Sequence, residues 1–408
     1  MIESYPLTKQ QTDFLEPEEE VSGIYNIAIG FSGQGKLCID SLVSAFRAAH
    51  QDFFGLSSRL TKSESGIMLS GFDKTSFDIR LIDLSYSDAN FGQVALHQLK
   101  EIKSEAMNPW QGEVSRMAII TGKDNQFSCL VILHHMIVDG IHLAILTQRL
   151  ADLYQHIKNG LKPQTWLDDS YNRYHNYLKS LPQRDSYEES LKYYKKKFAD
   201  SMISKALTDK SGSEAIAYPG HFSRNVRKLL FQATKHHRSS PFSVFSALFG
   251  YFISEKFNFK NFSVSFAENI KPASLGPALG HFASLNWIPF DIGPESTTTQ
   301  VIETVSSMRR KELQILKVYE LEEFNVEPLN QIPFILLEAP LNPNGILDPG
   351  LKGKAFTMTD EIEHDLCLTV DFSSPSMPCY WRINKGYLKL QSVHEFHLEF
   401  ERFLEINL

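Results

Sequence analysis

The chain has 408 residues, 42% of them apolar and 22% charged, with a net charge of −7. That length accommodates two domains or lobes of roughly 150–220 residues each, and no run approaches the roughly 20 apolar residues that cross a bilayer. The acidic balance argues against non-specific nucleic-acid binding, which Lys and Arg drive, and the four cysteines form no Cys-x-x-Cys pair, which argues against a zinc knuckle or a disulfide framework.

Met1–Pro6 has no basic segment followed by an apolar run, so neither a secretory signal nor a transit peptide is expected, and a soluble, cytoplasmic protein with no membrane insertion is the reading. Strand-like and amphipathic helical runs then alternate: a strand from Tyr25 to Phe31, a helix from Ile39 to His50, a strand from Phe77 to Leu84. This alternation predicts a mixed α/β layer architecture. Phe127 to Leu133 is apolar on both alternating faces after Ser128, as a central strand covered on each side requires. It leads directly into His134-His135. After Asp139-Gly140, Leu143, Leu146, Leu150, Leu153 and Tyr154 recur every three or four residues, which predicts a helix with one buried stripe. The histidines therefore belong to a short turn between a buried strand and a helix start.

Tyr171 to Phe198 is polar, aromatic and lysine-rich and predicts surface helices linking the halves, followed by a linker candidate from Asp200 to Gly220. The second half repeats the mixed pattern, with a helix from about Pro241 to Lys256, a strand from Phe262 to Phe266 and a helix from Thr299 to Leu316. Turns at Pro328, Pro333, Pro340, Pro343 and Pro349 punctuate short strands, and Val393 to Leu408 closes as a helix. Phe242, Phe245, Phe249, Phe252, Phe257, Phe259, Phe262 and Phe266 are spaced as core residues. Cys129 reads as a small core residue, and His236-His237, on a polar helix without a following Asp-Gly, as an exposed pair.

Transfer of an acyl group from a thioester requires the attacking amine or hydroxyl to lose a proton, and an imidazole that titrates near neutrality suits that task. Taken alone, a His-His pair beside a buried strand is more often packing than chemistry, and Asp139 alone reads as a helix N-cap. Adjacent histidines on an extended segment point to opposite sides, so His134 and His135 cannot easily share one metal, and no metal site is expected.

The heptad His134-His135-Met136-Ile137-Val138-Asp139-Gly140 resembles the HHxxxDG active-site motif of nonribosomal peptide synthetase condensation domains, a motif shared with chloramphenicol acetyltransferase, plant acyl-CoA-dependent transferases and polyketide-associated acyltransferases. The resemblance spans nearly the whole chain. Pro6-Leu7-Thr8-Lys9-Gln10-Gln11 is similar to the opening family motif. Tyr171-Asn172-Arg173-Tyr174-His175-Asn176-Tyr177 is similar to the aromatic motif closing the first lobe, and Gly280-His281-Phe282-Ala283-Ser284-Leu285-Asn286-Trp287-Ile288-Pro289-Phe290 to the glycine-aromatic motif of the second.

What the resemblance implies is two chloramphenicol-acetyltransferase-like α/β lobes, residues 1–178 with the motif and residues 179–408, forming a V around a central tunnel. His135 would accept the proton or position the nucleophile, and His134 would be a packing or orienting neighbour. Asp139 would hold the turn through an arginine of the first lobe, and Gly140 would leave room for substrate. The arginine-bearing motif corresponds to Phe53–Leu60, where the partner position falls on Ser57 and only Arg59 remains nearby, so the partner of Asp139 is open. The family asparagine appears as Ser284, a possible substrate or oxyanion contact together with backbone N–H groups near Gly140, and the acidic position of the aromatic motif appears as Arg173.

These departures point to a divergent, free-standing member, monomeric, that joins a carrier-bound acyl thioester to an amine or hydroxyl in nonribosomal peptide or hybrid polyketide natural-product (antibiotic) biosynthesis. The donor would be the phosphopantetheine arm of an acyl or peptidyl carrier protein acting in trans, and the acceptor an amine or alcohol, free or carrier-bound. The chain itself is expected to bind no cofactor. Two alternatives stay open: an N- or O-acyltransferase using acyl-CoA, and a non-catalytic condensation-like docking domain.

Overall fold

The computed structural model describes residues 3–15, 23–73, 77–87, 89–140, 142–164, 166, 169–199, 215–276, 278–318, 334–338, 347–348, 350–358, 365–384 and 393–408. Met1–Ser180, Asn269–Ala283 and Asn342–Thr359 form one compact unit; Leu181–Glu268, Ser284–Leu341 and Asp360–Leu408 form a second. Both combine helices with mixed sheets, the α/β class expected. Among the described residues no helix is long and apolar enough to cross a membrane.

In chain order the first unit carries β1 (Ser4–Pro6), α1 (Lys9–Asp13), β2 (Asn26–Gln34), α2 (Ile39–Asp52), β3 (Ser58–Ser63), β4 (Gly66–Gly71), β5 (Asp78–Asp83), α3 (Phe91–Ser104), β6 (Ser115–Thr121), β7 (Gln126–His134), α4 (Leu143–Lys158) and α5 (Ser170–Ser180). The second unit follows with α6 (Tyr187–Ala199), β8 (Ala215–His221), α7 (Arg224–His236), α8 (Pro241–Phe257), β9 (Asn261–Asn269), β10 (Ala283–Asp291), α9 (Thr298–Glu312) and β11 (Phe334–Glu338). Strand β12 (Lys352–Met358) returns to the first unit, and β13 (Leu366–Val370), β14 (Pro378–Asn384) and α10 (Val393–Asn407) complete the second.

The main sheet of the first unit runs β12-β2-β7-β6-β5, parallel between β5 and β6 and antiparallel elsewhere. Strand β7 is central, and its two-residue period divides it between two cores. Phe127, Cys129, Val131 and Leu133 pack with Leu42, Phe46, Leu146 and Leu150 of α2 and α4. Leu130 and Ile132 pack with Ala95, Leu99 and Ile102 of α3. Each large apolar side chain fully buried this way contributes roughly 1.5–3 kcal/mol, which explains why a strand apolar on both faces ends in a rigidly held tip. Gly30 of β2 lies between Leu130 and Phe356 in the ladder, and a Cβ there would run into the Phe356 ring and the Cys129 carbonyl. The aromatic ring fills the space the glycine leaves, and β12 closes down on β2.

The second unit's sheet runs β10-β9-β11-β13-β14-β8. Helix α8 starts at Pro241 after the Ser240 cap, ends at Asn258 with φ 56°, and is buried on nearly every side. Its Phe242, Phe245, Phe249 and Phe252 join Phe262, Phe266 and Trp381 in the core, with Phe257 and Phe259 at the margin, as their spacing predicts. His236 is exposed and His237 half-buried.

Two expectations need correction. The described end of the supposed linker, Ala215–His221, is β8, a full edge strand paired with β14; residues 200–214 and the prolines at 328, 333, 340, 343 and 349 lie outside the described residues. The helices from Tyr171 to Phe198 are not merely a surface layer. Tyr171, Tyr174, Tyr187, Tyr194 and Lys197 are buried. Lys197 bonds Asn286 Oδ1 at 2.7 Å, pairs with Glu312, and lies 5.2 Å from the centre of the Trp287 ring. Glu312 also pairs with Arg309, Arg309 bonds Glu268 at 2.9 Å, and Lys317 bonds Glu268 at 3.1 Å. A lysine-rich run reads as a solvated face unless an anion elsewhere in the chain meets it, and here Glu312 does. Burial, only partly offset by Glu312, pulls the Lys197 ammonium down to about 8.

Candidate functional site

The site begins where β7 ends. His134 N–H donates to Val114 O at 3.0 Å and His135 N–H to Tyr25 O at 2.7 Å, so both histidine backbones are tied to neighbouring chain. The next residues form a single 3₁₀ turn, His135–Ile137. Its free N–H at Met136 is accepted by His134 Nδ1 at 3.2 Å, which makes His134 a cap of the turn. Burial first, and the neighbouring His135 second, push the His134 imidazole down to about 3. It is neutral and committed to the backbone.

The opening motif braces the same turn. Thr8 and Gln11 form a reciprocal capping box at the start of α1, and the Gln11 amide donates to Met136 O at 2.8 Å. One turn further on, Phe14 stacks against the His135 ring with centroids 5.3 Å apart and planes 18° apart.

Asp139 is 1% exposed. Its Oδ1 accepts the His142 N–H at 2.9 Å, His142 Nδ1 lies 2.7 Å from Oδ1 and 2.8 Å from Oδ2, and Phe282 N–H donates to Oδ2 at 2.8 Å. The partner left open by the sequence is thus His142, three residues along the same turn, and not an arginine. Arg59 is exposed and lies over the Phe72 ring, and the Ser57 hydroxyl is spent on the His50 carbonyl. Burial alone would raise the Asp139 carboxyl, but the His142 hydrogen bonds and charge outweigh it and hold the group at about 2.

Because this value lies below the ordinary 3.8, the carboxylate contributes stability present above about pH 4 and lost as pH falls toward about pH 2, roughly 2 kcal/mol in all. Asp139→Asn removes that contribution. The difference in unfolding free energy between wild type and Asp139→Asn, measured by denaturant titration, is expected to shrink across that interval; a constant difference would contradict the assignment.

Residues 280–282 are strapped to the turn. Asp139 N–H donates to Gly280 O at 3.3 Å, and His281 Nδ1 sits 3.0 Å from His135 O and 3.3 Å from His135 Nδ1. Behind them Tyr174 packs edge-on to Phe282 at 4.9 Å, and Arg173 donates to Leu275 O at 2.5 Å, so the aromatic motif of α5 holds the strap from the other side. Gly140 is exposed, and a Cβ built on it meets nothing within 4 Å. Ser284 is buried on β10, in the second unit.

Of the residues singled out from sequence, His134, His135, Asp139 and Gly140 share one turn. His142, His281, Gln11 and Phe14 were not singled out as functional. Only His142 had a local signal, the three-residue spacing that brings side chains of a helical turn together. The His135 ring itself is half-buried, and among the described residues nothing hydrogen-bonds its Nε2.

A family model described as the Condensation domain matches residues 1–325. The chain is 23% identical over 308 residues to nonribosomal peptide synthetase kk1B of Curvularia clavata, covering 72% of this chain and 2% of that protein. It is 26% identical over 252 residues to enniatin synthase of Fusarium equiseti, covering 58% of this chain and 8% of that one. A linear gramicidin synthase of Brevibacillus parabrevis is 23% identical over 407 residues, covering 94% and 8%. The chain therefore spans only a small fraction of the length of these relatives. In fold it is similar to the first condensation domain of the CDA synthetase, with TM-score 0.79 at 17% identity, covering 99% of this chain and 96% of that one. A variant of the starter condensation domain of rhizomide synthetase in complex with C8-CoA gives TM-score 0.79 at 14% identity, covering 99% and 94%. The condensation domain of the Monacolin K polyketide synthase gives TM-score 0.79 at 13% identity, covering 99% and 97%.

Proposed function

Because this chain belongs to the condensation-domain family, with the family model spanning residues 1–325, we propose that it transfers an acyl group from a carrier-protein thioester to an amine, forming an amide. The observation that carries the reading is His135, a half-buried imidazole braced on every backbone side, whose Nε2 has no protein partner among the described residues. A hydroxyl acceptor would give an ester by the same route.

In the transfer, the amine nitrogen attacks the thioester carbonyl, whose π pair moves onto oxygen; collapse then breaks the C–S bond, and the proton lost by nitrogen ends on the thiol. His135 can serve this sequence in two ways. It can take up the nucleophile's proton, or it can donate a hydrogen bond to the oxygen as that becomes negative. Which ring nitrogen carries the hydrogen decides between them. Holding both substrates beside one imidazole adds proximity, and the turn that carries it is rigid enough to serve.

The test incubates the purified chain with an octanoyl thioester on a phosphopantetheinylated carrier protein, or with octanoyl-CoA, and with a panel of primary amines, product being followed by mass spectrometry. Amide from the carrier thioester is the expected result. Equal or faster reaction with the CoA thioester would favour an acyl-CoA-dependent transferase. A carrier that binds while no thioester is consumed would replace the reading with a docking role, to which the departures at Ser57 and Ser284 would then belong.

A further inference from the structure

The geometry points to His281 as a positioning residue: its Nδ1–H, shared between the carbonyl and the Nδ1 of His135, fixes His135 in the tautomer that presents an N–H donor at Nε2. This rests on the reading of His135 as the residue that faces the acyl chemistry.

A carbonyl oxygen only accepts, so the nitrogen 3.0 Å from His135 O, Nδ1 of His281, carries a hydrogen. The same nitrogen lies 3.3 Å from Nδ1 of His135. Two N–H groups cannot face each other at that separation, so His135 turns a lone pair toward it and receives the longer arm of a three-centre bond. A neutral imidazole has one ring hydrogen, and on His135 it must then sit on Nε2.

The arrangement is held from several sides. Asp139 bonds the backbone on both flanks of His281, to Gly280 O and from Phe282 N–H. Phe14 stacks on one ring and meets the other edge-on at 5.2 Å with planes 82° apart, so the imidazoles are kept in register. His281 has little reason to pick up a second proton, since burial and then the adjacent His135 press it down to about 4.

The chemical consequence is specific. At rest His135 offers a donor, not a lone pair, to the incoming substrates. The amine attacks, the carbonyl π pair moves onto oxygen, and Nε2–H of His135 holds that oxyanion. The C–S bond then breaks as the carbonyl reforms, and the departing sulfur takes the proton shed by the nitrogen, directly or through solvent. His135 finishes with the hydrogen it started with. His281 contributes by setting that hydrogen's place and touches no substrate.

Long-range ¹H–¹⁵N correlation of the full chain labelled with [¹⁵N]histidine reads the tautomer directly, with the His135 signals identified by their loss in His135→Gln. Wild type is expected to show protonated Nε2 and bare Nδ1. In His281→Phe, which keeps a ring but has no donor, the Nδ1–H tautomer is expected to gain roughly fivefold in population relative to wild type, the worth of a typical hydrogen bond. His281→Asn, whose amide can still donate, should restore much of the original balance. A wild-type spectrum with hydrogen on His135 Nδ1, or a tautomer ratio indifferent to His281→Phe, overturns the inference, and the first of these stands even if the variants fold poorly. No substrate is needed, so this outcome is independent of whether the acyl-transfer assay yields product.

Discussion

Replacing His135 with alanine is expected to lower the rate of acyl transfer by about a hundredfold to ten-thousandfold while leaving the chain folded. The rate loss follows from removing the half-buried imidazole whose Nε2 has no protein partner among the described residues. The fold should survive because what holds the turn does not belong to the His135 ring. Its N–H still reaches Tyr25 O, Gln11 still reaches Met136 O, and His134 still caps Met136 N–H. The ring is half-buried, packed against the rings of Phe14 and His281, so a fall of only a few degrees in melting temperature is expected. Steady-state rates with a carrier-borne thioester, beside a calorimetric melt, separate the two effects. A variant that keeps the wild-type rate would remove His135 from the chemistry, and one that unfolds would show the ring to be structural.

Glu312→Gln is expected to cost about 3–5 kcal/mol of stability, the usual penalty for removing one partner of a buried ion pair. The side chain is completely enclosed, and it receives Lys197, Arg309 and the phenol of Tyr193, the last at 3.4 Å. Neutralising it leaves Lys197, Arg309 and Lys317 with Glu268 as the remaining anion among the described members of the network. Lys197 loses the carboxylate it bonds directly, while keeping the neutral amide of Asn286 and the face of Trp287 among its contacts. Pairing Glu312→Gln with Lys197→Met should therefore recover a good part of the loss, since a buried pair replaced by apolar or neutral groups of similar volume is often tolerated. Denaturant unfolding of the two single variants and the double variant forms the cycle. Strict additivity of the two changes would show that the pair is not coupled.

What could be read from the chain alone was whatever depends on near neighbours. The three-and-four spacing of α4 announces its element because one-sided burial imposes a period on a short stretch of sequence, whereas the apolar runs of β7 and α8, buried on both faces or nearly all round, announce theirs by length and residue type. The heptad from His134 to Gly140 likewise lies within one turn, and its likeness to a known family is legible in the order of its residues. Thr8 and Gln11 stood in a legible motif as well, but their task, bracing the carbonyl of Met136 from 125 residues away, did not show.

Pairings across long separations belonged to the tertiary structure. Lys197 looked like part of a solvated lysine run until Glu312, 115 residues later, and Asn286, 89 residues later, enclosed it. Asp139 had an expected arginine that the chain does not supply, and the fold settled the matter with His142 and the backbone of Phe282. His281, 146 residues from His135, met it through a single shared hydrogen. A side chain's period records which face is dry, whereas the partner of a buried charge or ring nitrogen is chosen by distance and direction in space, and those exist only once the chain has folded.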